Sequence, residues 1–252
     1  MTAALANLLA EMQADFIDEL PERCSRLEER VLALERGERA SFDELYRQVH
    51  SLKGAGGTFG LPLITTICHQ FESFIGESHE RFGAKASTQA LAYIDLLRKS
   101  VLPNGREPQG VAAIEQALES LRSTSLSGRT SILMVDASEA MRKLYQEIFA
   151  GKAVHLVLLD SGMAALERLL HEPFDLLVAS RELPDLNGIA LLAALRESGG
   201  RNSAVAAILV SSNPAPVPEY LQIRAKVRRD PRLAATLLAY VNELLAQPRH
   251  RL

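Results

Sequence analysis

Two hydrophobic rhythms divide this chain, and one packing layer cannot satisfy both. In the first half, Phe16, Leu20, Cys24, Leu27, Val31 and Leu34 recur at three- and four-residue intervals, the spacing of one buried helical face. Gly37 is a stop signal, and Ser41 with Glu44 three residues on predicts a capping box at the head of a helix over 42–57. Further helices are expected over Pro62–Ile75, Ser87–Val101 and Val111–Leu121, with PNGREPQG (103–110) as a loop. Short connections between amphipathic helices predict an all-α antiparallel bundle over 1–123. The small polar residues of 124–129 predict a linker. From residue 130 to 252 the rhythm changes. SILMVD (131–136), AVHLVLLD (153–160), FDLLVAS (174–180), AVAAILVSS (204–212) and the weaker IRAKV (223–227) are short apolar runs separated by helical patterns. Strands that are apolar throughout and alternate with helices predict a doubly wound α/β domain with a parallel sheet covered on both faces.

Composition narrows the function. A net charge of −3 lacks the basic surplus that nucleic-acid binding calls for. The absence of Trp argues against stacking platforms for bases. The stretch MTAALANLLAEMQADF has no basic start and soon turns acidic, so no signal peptide is expected, and no apolar run reaches the roughly 18–20 residues of a membrane span. Two distant cysteines, Cys24 and Cys68, have no metal-ligand spacing and fit a reduced, cytoplasmic protein. No metal cluster, catalytic triad or nucleotide loop stands out.

The segment HSLKGAGGTFG (50–60) sets Gly54, Gly56 and Gly57 in a helical pattern, although each costs about 1 kcal/mol there relative to alanine. At 100° per residue Leu45, Val49, Leu52 and Gly56 share the core face, while His50 projects away from it beside Arg47, Gly54 and Gly57, with Lys53 between. An exposed imidazole flanked by two cations and open backbone is suited to nucleophilic attack and to carrying an anion. The alternative is a solvated histidine next to glycines that allow close helix packing.

HSLKGAGGTFG resembles the signature of histidine phosphotransfer (HPt) domains, and LPLITTICHQFE continues the likeness, most closely to the phosphorylated N-terminal domain of chemotaxis histidine kinases. The resemblance covers about residues 5–122. It implies that His50 is phosphorylated and that Glu72 accepts a hydrogen bond from one ring nitrogen. On this reading Lys53, Arg47 and Gly54 would support the phosphoryl group, and Gly57 and His69 would lie where a partner docks. The bundle would carry phosphate without ATP-binding or autokinase machinery.

The second half resembles a response-regulator receiver domain, with a five-stranded parallel sheet of flavodoxin-like order. In that family an acidic pair after the first strand holds Mg²⁺, an aspartate after the third is phosphorylated, and a Ser/Thr and a Lys after the fourth and fifth contact the phosphoryl group. Here Asp136 keeps the first acid but Ala137 follows it, Ser180 stands at the acceptor position, and Ser211 matches the Ser/Thr. The lysine is ambiguous between Val227, by counting, and Lys226, one place off. A serine cannot form an acyl phosphate, and one carboxylate holds Mg²⁺ poorly. Glu182 and Glu139 are not expected to rescue a metal site. Pro214, Pro216 and Pro218 predict that the helix after the fourth strand is short or absent.

The expected function is phosphorelay: His50 carries a phosphoryl group between a sensor or hybrid histidine kinase, or a receiver, and a partner receiver aspartate. Mg²⁺ is expected on the partner and no cofactor on this chain. The degenerate receiver would serve interaction or homodimerisation, with neither nucleic acid nor membrane as partner. Two other readings stay open: a binding regulator of a kinase or response regulator that carries no phosphate, and the regulatory part of a longer chain with an output enzyme such as a diguanylate cyclase.

Overall fold

In the computed structural model, which describes residues 3–79, 82–126 and 129–246, the chain opens on a long helix, α1, Ala3–Glu35. Phe16, Leu20, Cys24, Leu27, Val31 and Leu34 are all buried on one side of it, as their spacing predicts. Gly37, at φ +92°, ends the helix: its N–H bonds the Leu34 carbonyl and the Glu38 N–H reaches back to Ala33, the paired closure that a left-handed residue permits.

Helix α2 spans Ser41–Thr58 and differs from expectation at its start. Ala40 is the N-cap and makes no side-chain cap bond, so the Ser41–Glu44 capping box does not form. The tight turn after Gly37 presents the Glu38 and Arg39 carbonyls to the N–H groups of Ser41 and Phe42, and the Glu44 carboxylate bonds Arg47 and Gln48 instead. Helix α3, Pro62–Ser78, begins with Pro62 in its first turn, where a missing N–H costs nothing. Helix α4 spans Ala84–Val101.

The expected loop at 103–110 is largely helical: α5 is a single turn, Pro103–Arg106, and α6 runs Pro108–Ser125. Both prolines start helices, and the residues before them, Leu102 and Glu107, are extended, as a following proline demands. Gly105 and Gly110 let the backbone fold tightly here, since a Cβ on either would lie 1.9 Å from a carbonyl oxygen, of Lys99 and Asn104 respectively. Helix α6 also runs beyond its expected end at Leu121, so the stretch expected as a linker begins as helix. Residues 127 and 128 of that stretch, and the tail beyond Ala246, lie outside the described residues.

Helices α1 to α4 close a ring, α1 packing on α2 and α4, and α3 on α2 and α4, with α6 against α4. Phe71 stacks on Tyr93 at 5.3 Å inside it. Cys24 and Cys68 are fully buried, and burial pushes the Cys24 thiol up to about 11 and Cys68 higher still. Both thiols are therefore expected to resist a disulfide thiol reagent in the native protein and to react only as it unfolds, because the thiolate is the reactive form. Reagent uptake followed through a denaturant series checks this.

The second compact unit, Gly128–Leu252, is a parallel sheet of order β2-β1-β3-β4-β5. Its strands are β1 Thr130–Val135, β2 Val154–Leu159, β3 Leu176–Ser180, β4 Ala206–Val210 and β5 Ala225–Val227. The helices are α7 Glu139–Phe149, α8 Gly162–His171, α9 Gly188–Glu197 and α10 Leu233–Ala246. Strand residues alternate between two cores. Leu133, Val135, Leu177 and Leu209 face α8 and α9, whereas Ile132, Met134, Val178 and Ile208 face α7 and α10. Between β4 and β5 the proline-rich segment forms only a 3₁₀ turn, Glu219–Leu221, as its composition predicts. No helix among the described residues is long and apolar enough to cross a membrane.

Candidate functional site

Helix α2 presents the site because its two faces carry different residues. Leu45, Val49, Leu52 and Gly56 are buried, while His50 keeps 64% of its side chain exposed. The glycines divide the same way. A Cβ on Gly56 would meet the Thr65 Oγ1 at 2.9 Å and the Thr65 backbone nitrogen at 3.1 Å, so this glycine seats α2 against α3. A Cβ on Gly54 would meet nothing within 4 Å, and one on Gly57 only Thr65 Oγ1 at 3.9 Å. Gly56 thus lies at a close helix contact, while the surface at Gly54 and Gly57 is open. Gly56→Ala is expected to destabilise the protein by about 1–3 kcal/mol through overpacking. Gly54→Ala should stabilise it by about 0.5–1 kcal/mol through helix propensity. Denaturant melts of the two variants check the contrast.

Beside His50, α3 supplies a buried carboxylate. Glu72 Oε1 lies 2.6 Å from His50 Nδ1, and Glu72 Oε2 lies 2.7 Å from Lys53 Nζ. The Glu72 side chain is only 8% exposed, so its charge is held by two partners from successive turns of α2. A carboxylate only accepts, which puts the ring proton on Nδ1. The other nitrogen, Nε2, then keeps its lone pair and has no hydrogen-bond partner among the described residues.

Two expected members stand elsewhere. Arg47 is directed away from the imidazole, its guanidinium 2.5 Å from Glu44 Oε2. His69, expected where a partner docks, is buried with 5% exposure. Its helix is clasped by α2 on one side and α4 on the other, so Ile67 to Glu72 are buried consecutively and no polar face remains there. Lys53 is at the site but bonded to Glu72. One turn before His50 an open groove of about 950 Å³ begins between Phe42, Tyr46 and Arg47 on α2 and Gly76 and Glu77 on α3 with His79 just beyond it.

In the second unit the carboxyl ends of β1, β3 and β4 bring Asp136, Ser180 and Ser211 together, all at most 1% exposed. Asp136 Oδ1 accepts from the Ser138 N–H at 3.0 Å, and Oδ2 from Tyr145 at 3.3 Å and Arg229 at 2.8 Å. Burial holds the Tyr145 hydroxyl well above its usual range, keeping it a donor. The same Arg229 nitrogen lies 2.6 Å from Ser180 Oγ. Ser211 Oγ donates to Glu182 Oε1 at 2.6 Å. Lys226 turns to the Ala215 carbonyl, 2.8 Å away, so neither Lys226 nor Val227 supplies a cation to this site. Arg229 does. The cation comes from two residues beyond the positions 226–227 where the sequence places it, and its signal in the sequence is the pair Arg228-Arg229 after the last strand. Among the described residues, no cluster of three or more His, Cys, Asp or Glu side chains could hold a metal ion.

Residues 11–124 match the Hpt domain and residues 132–226 the response regulator receiver domain. No curated protein matches the chain. Among solved structures, the signal receiver domain of an HD domain-containing protein from Pseudomonas fluorescens superposes with a TM-score of 0.41 at 22% identity, covering 46% of this chain and 94% of that one. The chemotaxis protein CheY4 of Vibrio cholerae gives 0.42 at 16% identity, over 46% and 98%. A CheY-like receiver domain protein from Methanospirillum hungatei gives 0.41 at 20%, over 46% and 94%. With a helical ring that presents His50 and a five-stranded parallel sheet behind it in sequence, the chain is a two-component phosphorelay protein in which an Hpt domain is followed by a response regulator receiver domain.

Proposed function

We propose that this protein shuttles a phosphoryl group on Nε2 of His50 and that its own receiver domain takes none. The observation that carries the reading is the His50–Glu72–Lys53 chain. Hpt and receiver domains are phosphotransfer modules that work with histidine kinases and receivers. In the step proposed here, the Nε2 lone pair attacks the phosphorus of a partner's aspartyl phosphate, the P–N bond forms as the acyl P–O bond breaks, and the partner's carboxylate leaves. The reverse step delivers the group to another receiver. Glu72 holds the proton on Nδ1 throughout, so positive charge developing on the ring is met by a carboxylate already in place. Gly54 and Gly57 leave the partner's approach unobstructed, and the groove beyond Arg47 offers it a place to rest. The partner receiver would bring Mg²⁺.

Ser180 stands where the second domain would need a carboxylate, and its hydroxyl donates to the Glu182 carbonyl at 3.0 Å. The domain therefore acts as an interaction or dimerisation module, in the cytoplasm, and the chain is a phosphocarrier without catalytic activity of its own. To test the reading, the full chain is incubated with phosphorylated receivers or a cognate kinase, and the acid-labile label is mapped. Label on His50 and none on the receiver domain is the expected result. Label at Ser180, or regulation of a kinase without any label, would overturn it.

A further inference from the structure

We infer that Arg229 is a built-in cation that takes the metal's place in the receiver domain, so that this site is kept filled by the chain's own side chains. The inference rests on reading the domain as one that takes no phosphoryl group, and it explains how such a site is stabilised. Asp136 is 1% exposed at the end of β1, and a carboxylate so buried needs a positive partner. Arg229, two residues beyond β5, places one guanidinium nitrogen 2.8 Å from Asp136 Oδ2 and 2.6 Å from Ser180 Oγ. That single group ties the carboxyl ends of β1 and β3 to the chain leaving β5.

The residues present do not suit the divalent cation that this fold implies. Mg²⁺ takes about six oxygen ligands in near-octahedral array. Here one carboxylate has both oxygens engaged, Ala137 offers none, and the Ser180 hydroxyl is neutral and engaged. The Glu182 carbonyl already accepts from Ser180, and its carboxylate is turned to Ser211. The fixed charge continues outward, where Arg181 and Lys226 both donate to the Ala215 carbonyl and pin the proline segment after β4. Cation, anion and hydroxyl anchors are thus all internal, and the domain presents one state whatever the metal concentration.

Manganese(II) is the probe, with free ion counted by electron spin resonance, on the full chain. The wild type is expected to show no site tighter than about 1 mM, since only one engaged carboxylate is offered. In the variant Ala137→Asp/Ser180→Asp, which restores the missing acids, adding Arg229→Ala should tighten Mn²⁺ binding by about tenfold or more, because the competing cation is gone. Arg229→Gln in the same background keeps the size and removes the charge, and should tighten binding in the same direction if the alanine variant does not fold. Submillimolar binding by the wild type, or affinities within about twofold with and without the Arg229 charge, would overturn the proposal. His50 labelling, read on the same samples, reports the phosphotransfer reading separately.

Discussion

The His50→Gln variant is expected to fold as the wild type does and to take up no acid-labile phosphate. The fold should survive because most of the His50 side chain is in solvent and α2 is anchored by Leu45, Val49 and Leu52 on its other face. A glutamine amide N–H can replace the donor that Glu72 Oε1 receives from Nδ1, and Lys53 still holds the other oxygen. The buried carboxylate is then not left bare, so the stability change should stay within about 1 kcal/mol. Chemistry should vanish altogether, since an amide nitrogen has no available lone pair. Uptake from a phosphorylated receiver, together with a thermal melt, checks both halves. Undiminished label in a folded His50→Gln protein would place the phosphoryl group elsewhere.

How much of this was legible in the sequence depends on how local each feature is. The core stripe from Phe16 to Leu34 and the exposure of His50 follow from helical periodicity, which needs only the chain itself. The five strands follow from their apolar runs, and the absence of a regular helix after β4 from three prolines. The misses come from geometry set by neighbours. The capping box at Ser41 fails because the Gly37 turn supplies carbonyls first. The segment 103–110 reads as a loop by composition, but its prolines sit where helices start and its glycines let the backbone pack where a Cβ would lie 1.9 Å from a carbonyl oxygen. His69 is buried because α3 is enclosed from two sides, which one helix's periodicity cannot reveal. Arg229 was missed because β5 has only three residues, and what lies beyond so short a strand is set by the reach of a long side chain.

Glu72 should show the next largest effect. Glu72→Ala removes the acceptor that fixes the Nδ1 proton, and the imidazole then samples the tautomer with the proton on Nε2, which cannot attack. It also frees the ring to rotate away from the line of transfer, and leaves Lys53, whose side chain is 17% exposed, without this carboxylate. Together these losses should slow phosphoryl uptake by about 10- to 100-fold, or roughly 1.4–2.7 kcal/mol of barrier. The loss should fall on the maximal rate and not on the partner concentration needed to reach half of it, because Glu72 is buried and touches no approaching surface. Glu72→Gln should lie between the variants, since its amide oxygen can still accept from Nδ1–H but carries no charge to meet the ring's developing cation. Single-turnover uptake at several concentrations of a phosphorylated receiver separates the two quantities. A Glu72→Ala protein that matches the wild-type maximal rate would reduce this carboxylate to a helix-packing partner of Lys53. If it instead needs more partner at an unchanged rate, Glu72 shapes the docking surface and not the nucleophile.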